Sequence, residues 1–449
     1  MKVVKFGGSS VASAEQILKV IGIVSADAER RIVVVSAPGK RHADDSKVTD
    51  LLIALANMVL AGNDYETALQ GVISRYAEIQ QDLDLSADIV ATIEADLRGR
   101  IENRGSNDLQ FMDTMKASGE DNNAKVIAEA FTKLGYPAKY VNPGEVGMLL
   151  SDEFGNAEVL PESFEKLADL KNESEIIVFP GFFGWTKSGD VATFPRGGSD
   201  ITGAILAAAV KAEVYENFTD VDSVYAMDPR IVPNAPAIEL MTYREMRELA
   251  YAGFGVFHDE AIIPAVRAQI PICIKNTNRP EAPGTMIAPT RSNKERVVVG
   301  ISSADGFCAI YIDKYMMNRE VGFGRRVLQI LEEENISFEH TPSGIDNLSI
   351  ILQSAELSAE KEKQVVDRIN TELAPDKIVV EHGLALIMVV GEGMHYTVGM
   401  ASKATQALAK AEVNIEMINQ GASEISIMFG VKDAQRKQAV GALGEAFFE

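Results

Sequence analysis

The chain has 449 residues, 46% hydrophobic and 24% charged, which is enough for about three globular domains with full cores. Its 43 basic and 65 acidic residues give a formal net charge of -22, which argues against nucleic acid and membrane surfaces as partners because both require clustered Lys and Arg. The two cysteines show no paired spacing, and we find no signal peptide or spanning segment, so we expect a cytoplasmic protein without a disulfide framework or a structural zinc site.

Short β-branched runs alternate with helical patterns over the first two-thirds of the chain. Predicted strands lie at 3–6, 31–36, 176–179, 214–218 and 272–274, and predicted helices include one from about residue 14 and one over 201–211. This alternation predicts an α/β fold with a mainly parallel sheet covered on both faces. The turn-rich stretch 280–293 marks the end of the region, so we expect a first domain over 1–293.

The remainder of the chain is an internal repeat. Gly322 aligns with Gly399 and Gly344 with Gly421, an offset of 77 residues. The sequence pattern of each copy predicts a helix, a strand, a glycine turn and a second strand. The repeat resembles the ACT domain, an α+β ferredoxin-like (βαββαβ) module of amino-acid metabolism, and the second copy matches better. The resemblance implies ACT domains at 299–374 and 375–449.

In that family, paired ACT domains bind an amino acid near a helix N-terminus, where backbone amides and the helix dipole favour a carboxylate. The resemblance therefore implies an effector site in two loops of the first copy, formed by Glu320, Gly322, Phe323, Gly344, Asp346 and Asn347. It also implies a homodimer formed through the ACT domains, and it leaves lysine, threonine, both or neither open as the effector. A purely structural dimerisation module stays open as the alternative.

The end of the opening strand and the turn after it contain Lys5, Gly7, Gly8 and Ser9. Glycines after a strand allow backbone amides to approach a polyphosphate, and Lys5 adds a point charge. A tight turn is the alternative interpretation. The segment is not the common P-loop, because no Gly-x-x-x-x-Gly-Lys-Ser/Thr pattern occurs in the chain.

Two further segments combine charge with glycine. Glu120 follows Ser118 and Gly119 ahead of a helical pattern, where a first-turn acid is the simpler interpretation. Arg196 precedes two glycines and the pair Ser199 and Asp200 at the start of a predicted helix. Its guanidinium fits a carboxylate with two hydrogen bonds, so the segment favours a binding site over a merely capped helix.

An acidic segment follows the predicted strand at 214–218. It contains Thr219, Asp220, Tyr225 and Arg230. Loops at the carboxyl ends of strands line the ligand crevice of open α/β sheets. The mixture of carboxylates, Tyr and Arg therefore favours a nucleoside triphosphate with its metal over a solvated turn.

Together these segments resemble the aspartokinase family, within the amino-acid kinase (carbamate-kinase-like) αβα sandwich fold. The resemblance implies transfer of the γ-phosphate of Mg-ATP to the β-carboxylate of L-aspartate, with no metal ligands from the protein itself. It implies catalytic roles for Lys5, Arg196 and Asp200. It implies that Glu120 binds the α-ammonium group and Arg196 the α-carboxylate, beside Thr49, Phe182 and Ser199. It implies nucleotide contacts from Lys5, Gly7, Gly8, Ser9, Thr219, Asp220, Tyr225 and Arg230.

Four features depart from the family pattern. Pro195 and Asp259 replace a usual glycine and a usual proline, Gly255 replaces a lysine that normally binds nucleotide, and residues 40–46 look like an insertion. Two alternatives therefore stay open. One is a kinase for a related amino acid such as glutamate, and the other is a catalytically inactive amino-acid sensor of the same fold.

Overall fold

The computed structural model describes residues 1–251, 253, 259–292, 296–421 and 425–449. The chain forms two compact units. The first contains Met1–Val224, Ala237–Tyr243 and Val256–Arg291, and the second contains Tyr225–Pro236, Arg244–Gly255 and Ser292–Glu449. Among the residues described, no helix has the length and apolar character needed to cross a membrane.

The strands of the first unit form one large and one small sheet. In chain order they are β1 (Lys2–Phe6), β2 (Arg30–Val35), β3 (Ala138–Tyr140), β4 (Leu149–Leu150), β5 (Ile176–Pro180), β6 (Phe183–Thr186), β7 (Val191–Thr193), β8 (Val214–Thr219), β9 (Leu240–Thr242), β10 (Ile272–Asn276) and β11 (Thr285–Ala288). The large sheet has the order β3-β5-β2-β1-β8-β10-β11-β9, and the small sheet has the order β4-β6-β7.

The large sheet is parallel except for the pairing of β10 with β11. Its central strands are continuous apolar runs, such as Ile32 to Val35, because both faces of the sheet are covered. The predicted α/β fold with a mainly parallel sheet is therefore confirmed.

Helices alternate with these strands along the chain. They are α1 (Ala14–Ser25), α2 (Val48–Leu60), α3 (Glu66–Asp82), α4 (Asp88–Glu102), α5 (Asp108–Lys133), α6 (Glu162–Leu167) and α7 (Gly198–Val210), followed by α8 (Tyr243–Tyr251), which continues into the second unit, and α9 (Ile263–Arg267). Helices α1 to α5 share one apolar core with β1, β2 and β5. The predicted helix at 201–211 begins earlier, at Gly198, because Gly197 (φ 84°) is the residue that starts it.

The second unit is built on one antiparallel sheet. Its elements are β12 (Gly300–Asp313), α10 (Phe323–Glu333), β13 (Asn347–Gln353), α11 (Ala359–Leu373), β14 (Lys377–Val390), α12 (Met400–Lys410), β15 (Met417–Asn419), β16 (Ser426–Lys432) and α13 (Arg436–Phe448). The strand order is β13-β12-β14-β16-β15.

The 77-residue offset of the internal repeat is confirmed, although the first copy has only isolated bridges at His340 and Ser343 where the second copy has the strand Met417–Asn419. Helix α12 starts and ends 77 residues after α10, and α13 starts 77 residues after α11. Positive φ angles recur at the same offset, at Gly306 and Gly383, at Gly322 and Gly399, and at Asn335 and Glu412. These left-handed positions bend a long strand, precede a helix and follow that helix at equivalent places in both copies, so the same turn chemistry shapes each copy.

Each copy has its own apolar core, but the two long strands serve both. The first core takes residues between Cys308 and Leu373, whereas the second takes Val298 and Ile301 together with residues from Ala385 to Leu443. The first stretch of β12 therefore pairs with the end of β14 and packs in the second core. This sharing arises because both strands continue past the bends at Gly306 and Gly383.

Candidate active site

The carboxyl ends of five neighbouring parallel strands lie along one edge of the large sheet. Strand β5 leads to Gly181, β2 to Ser36, β1 to Gly7, β8 to Asp220 and β10 to Thr277. Open α/β sheets bind ligands at this edge. The polar residues singled out in the sequence of the first unit are arranged around it.

Lys5 occupies the fourth position of β1 and is 7% exposed. Its Nζ lies 2.5 Å from Oδ1 of Asp200, and Nδ2 of Asn217 donates to the same oxygen at 2.7 Å. Asp200 lies in the first turn of α7, four residues after Arg196. The opening strand and the Arg196 segment therefore meet at one edge of the sheet.

The glycine segment after β1 packs against the segment after β2. Gly7 N–H donates to the carbonyl of Phe218 at 3.2 Å, and Gly39 N–H donates to the carbonyl of Gly8 at 2.9 Å. A Cβ atom at Gly39 would lie 2.6 Å from the carbonyl carbon of Gly8, which is closer than atoms approach. Only glycine fits there, and Ser9 stays exposed at the rim.

The sequence predicts Glu120 at the start of a helix, but this prediction is wrong. Glu120 lies in the middle of α5. Its side chain is buried at the sheet edge, where the backbone of Ala37 donates to it. Burial raises the pKa of Glu120 to about 8, although the nearby charge of Lys5 acts in the opposite direction. Its Oε2 has no hydrogen-bond partner among the described residues. A buried carboxyl oxygen without a hydrogen-bond partner fits a cationic ligand group, because the ligand's charge favours the ionised form of the side chain.

Phe182 and Ser199 pack against glycines of each other's segment. A Cβ atom at Gly181 would lie 2.6 Å from Oγ of Ser199, and one at Gly198 would lie 2.5 Å from Cδ2 of Phe182. Phe182 has a φ angle of 77°, and its N–H donates to Oγ1 of Thr202 at 3.0 Å. A non-glycine residue in this conformation is strained and is often found at binding sites.

Thr49 and Arg196 present groups that are available to a ligand. Thr49 is half-buried in the first turn of α2, which is anchored by Val48 N–H donating to the carbonyl of Pro38 at 3.0 Å. Arg196 is exposed just before α7, next to half-buried Pro195. Within the described part of the chain Arg196 forms no ion pair. Its guanidinium is thus free to bind an anion.

The acidic segment is divided between the units. Thr219 ends β8, and Asp220 follows it as an exposed residue. Tyr225 and Arg230 belong to the second unit, where Tyr225 packs against the second ACT core and the 90%-exposed Arg230 pairs with Asp228 at 2.7 Å. Gly255 and the side chain of Asp259 lie outside the residues described.

The two predicted effector loops meet within the first repeat. Met316 N–H donates to Oδ1 of Asp346 at 2.8 Å, and Asn318 N–H donates to the carbonyl of Ile345 at 3.1 Å. Glu320 pairs with Lys314 at 2.7 Å, and the hydrogen bond from Lys314 lowers the pKa of Glu320.

The remaining members of these loops fix their conformation. Gly322 precedes α10 with a φ angle of 78°, and Phe323 is the buried first residue of that helix. Gly344 N–H donates to the carbonyl of exposed Asn347 at 2.9 Å. The loops therefore form one small surface beside a helix N-terminus.

Sequence reasoning missed several buried polar residues near the sheet edge. Asn217 holds Asp200, and Asn123 donates to the carbonyl of Ser36 at 2.7 Å while its own Oδ1 has no partner among the described residues. Arg75 contacts the segment around Gly39. For Arg75 a signal did exist, because it interrupts the apolar stripe of α3.

Comparisons with known proteins agree with this geometry. A model described as the amino acid kinase family matches residues 1–276, and one described as an ACT domain matches residues 387–447. The chain is 56% identical over 448 residues to Aspartokinase 3 of Bacillus subtilis (strain 168), covering 100% of this chain and 99% of the relative.

Solved structures agree over the same length. Clostridium acetobutylicum aspartate kinase is 39% identical with a TM-score of 0.88, covering 99% of both chains. E. coli aspartokinase III is 26% identical over 100% of both chains, with TM-scores of 0.75 for its complex with aspartate and ADP and 0.74 for its complex with lysine and aspartate. The chain therefore belongs to the amino acid kinase family and, within it, to the aspartokinases that carry C-terminal ACT domains.

Proposed function

We propose that the chain transfers the γ-phosphoryl group of ATP to the β-carboxylate of L-aspartate, giving β-aspartyl phosphate and ADP. This is the first step toward lysine, threonine and methionine. The observation that carries the proposal is the buried Glu120, whose unpartnered carboxylate oxygen lies near the charge of Lys5 at the ligand edge of the sheet. E. coli aspartokinase III, solved with aspartate and ADP, supports the choice of substrates.

The chemistry requires charge neutralisation and positioning more than acid–base catalysis. The β-carboxylate of aspartate has a pKa of about 3.9 and is already ionised near neutral pH. Its repulsion from the triphosphate is the main obstacle to attack. Lys5 places a cation at the edge where the phosphoryl group passes, and Asp200 fixes the position of that cation at 2.5 Å.

Recognition of aspartate rests on its two α-groups. Glu120 takes the α-ammonium group, and the exposed guanidinium of Arg196 takes the α-carboxylate with two hydrogen bonds. Thr49, Phe182 and Ser199 line the same pocket. When both α-groups are held, only a side chain of the right length reaches the γ-phosphate, which discriminates against glutamate.

The phosphates of ATP bind to Lys5, Gly7, Gly8 and Ser9. The further nucleotide contacts are Thr219, Asp220, Tyr225 and Arg230. The described residues contain no group of three or more His, Cys, Asp or Glu side chains suited to a metal. Mg²⁺ enters as part of the Mg-ATP substrate, where it neutralises phosphate charge.

The second unit carries the proposed regulatory site. The loops around Glu320 and Asp346 bind an amino-acid effector, for which lysine is favoured because E. coli aspartokinase III was solved with lysine, and threonine is the second candidate. The chain is a cytoplasmic homodimer joined through its ACT domains. Its domains are 1–293, 299–374 and 375–449, with the β12 stretch from residue 300 to residue 304 contributed to the last domain.

ADP release across a panel of amino acids tests the substrate assignment. With Mg-ATP we expect release with L-aspartate and little with L-glutamate or L-asparagine, since glutamate is too long and asparagine lacks the nucleophilic carboxylate. Equal or faster release with glutamate overturns the choice of substrate. If no amino acid supports release while aspartate still raises the melting temperature, the chain is an inactive sensor.

A further inference from the structure

Arg75 is a buried guanidinium in α3 that the proposed mechanism does not use. It is 5% exposed and lies within the apolar stripe formed by Val72, Tyr76 and Ile79. Burying an arginine is costly unless its donors are satisfied. The contacts it makes therefore indicate what the fold gains from placing it there.

The guanidinium joins three separate turns of the chain. Its Nη2 donates to the carbonyls of Ala12 at 3.3 Å and Gly39 at 3.0 Å, and its Nη1 donates to the carbonyl of Ser46 at 2.8 Å and to Oδ2 of Asp45 at 2.9 Å. Ala12 directly follows the short helical turn that begins at Gly8. One side chain thus connects the glycine segment after β1 with both ends of the insertion-like stretch 40–46.

The contact with Gly39 is the one that reaches the nucleotide segment. Gly39 packs so closely on Gly8 that a Cβ atom would meet the backbone of Gly8 at 2.6 Å, and its N–H donates to the carbonyl of Gly8. A shift of Gly39 therefore moves Gly8 directly. Because Arg75 holds the other side of Gly39, it limits that movement.

The stretch 40–46 is held by charge at its far end. The carboxylate of Asp45 accepts from Arg41 at 2.8 Å as well as from Arg75, and the hydrogen bond from Arg41 holds the pKa of Asp45 well below its usual range. Asp45 thus stays ionised and keeps the guanidinium of Arg75 paired across the working pH range. Arg41 also pairs with Glu78 on α3.

We propose that Arg75 is a positioning residue for nucleotide binding, which fixes the phosphate-binding segment at Gly7 and Gly8 through Gly39 and makes the 40–46 stretch part of that support. The inference rests on the proposed function, because it assumes that this segment binds the phosphates of ATP. Arg75 itself touches no substrate. Its effect arises from the planar fork of donors, which a lysine does not reproduce.

The test compares Arg75→Ala and Arg75→Lys with Arg30→Ala as the matched control. Arg30 is half-buried and makes two hydrogen bonds to Glu216, at 2.6 and 3.1 Å, but it lies at the amino ends of the strands, away from the glycine segment. For both Arg75 variants we expect the KM for ATP to rise at least about tenfold, as for a lost charge-assisted network. The control variant loses thermal stability but keeps its KM for ATP.

Added guanidinium ion, at a concentration that does not unfold the protein, provides a readout that a purely structural role would not move. It should restore ATP binding to Arg75→Ala, measured by calorimetry with Mg-ATP, and leave Arg30→Ala unchanged. If Arg75→Ala is unfolded, Arg75→Lys and Asp45→Asn carry the test. A folded Arg75 variant with unchanged ATP affinity, in a protein whose parent is active on aspartate, overturns the proposal. An inactive parent instead contradicts the proposed function.

Discussion

At the scale of single residues, the unpartnered oxygen of Glu120 leads to a direct prediction. Glu120→Gln keeps the shape of the side chain but removes the charge that would bind the α-ammonium group. We expect the KM for aspartate to rise about ten- to a hundredfold, as for a lost hydrogen bond to a charged group, with the KM for ATP nearly unchanged. Steady-state kinetics with each substrate varied in turn measures both constants.

The neighbouring residue provides the control for this prediction. Asp121 is also buried, but it is bonded to Arg100 at 2.8 Å and Lys125 at 3.0 Å. Asp121→Asn should lower the melting temperature and leave the KM for aspartate unchanged. An unchanged KM in the Glu120 variant, or an equal rise in both variants, would reject the role assigned to Glu120.

The raised pKa of Glu120 also predicts how stability depends on pH. The folded-state pKa of about 8 lies above the ordinary 4.5, so the folded protein keeps a proton that the unfolded chain has already released. This contribution to stability is fully present below pH 4.5 and is lost as the pH rises toward 8, by at most about 1.4 kcal/mol per pH unit. Chemical denaturation of the ligand-free protein and Glu120→Gln across this range should show the difference. Parallel curves would contradict it.

For Lys5 we expect an effect on kcat, whereas for Glu120 we expect an effect on the KM for aspartate. Lys5→Ala removes the cation that offsets charge on the transferring phosphoryl group, so kcat should fall at least about a hundredfold while the KM for aspartate changes little. Lys2→Ala is the control, because Lys2 lies on the same strand but pairs with Asp27 at 2.7 Å, at the end remote from the glycines. A large rise in the KM for aspartate with kcat preserved would remove Lys5 from the catalytic step.

At the scale of elements, the packing of Gly39 on Gly8 is open to test. Gly39→Ala places a methyl group 2.6 Å from backbone that has no flexible end to move, which costs about 1–3 kcal/mol and displaces the phosphate segment. We expect a raised KM for ATP. Gly22→Ala, where no atom lies within 4 Å, should stabilise α1 by about 0.5–1 kcal/mol without changing kinetics. Normal ATP kinetics in the Gly39 variant would show that the segment adapts.

The elements differ in how well the sequence predicts them. Strands such as β2 are short, continuous runs of β-branched apolar residues, and this local composition is enough to predict them. The sequence places the start of helix α5 too late, because the helix is buried nearly all round near Glu120, with polar Ser118, Asp121 and Asn123 also buried, so it has no apolar stripe. That error placed Glu120 at a helix start and hid its burial. The contacts of Arg75 depend on turns distant in sequence, which no local pattern contains.

At the scale of the whole molecule, charge and repetition were both readable from the sequence. A net charge of -22 requires local cations for any anionic ligand, and Lys5 and Arg196 belong to segments that meet at one sheet edge. The 77-residue repeat was predictable because its left-handed glycines recur at fixed places. The sequence did not predict that β12 contributes to both cores, because strand pairing across the repeat depends on contacts far apart in sequence.

Trapping the product with hydroxylamine shows whether the phosphoryl group of ATP passes to a carboxylate of aspartate. An acyl phosphate reacts with hydroxylamine, whereas phosphorylation of an amine or a hydroxyl group gives no hydroxamate. The whole chain, given Mg-ATP, L-aspartate and hydroxylamine, should form aspartyl hydroxamate in proportion to the ADP released, and this formation should be strongly reduced in Glu120→Gln at low aspartate. ADP release from the parent protein without any hydroxamate would rule out β-aspartyl phosphate as the product, because the phosphoryl group would then not be passing to a carboxylate.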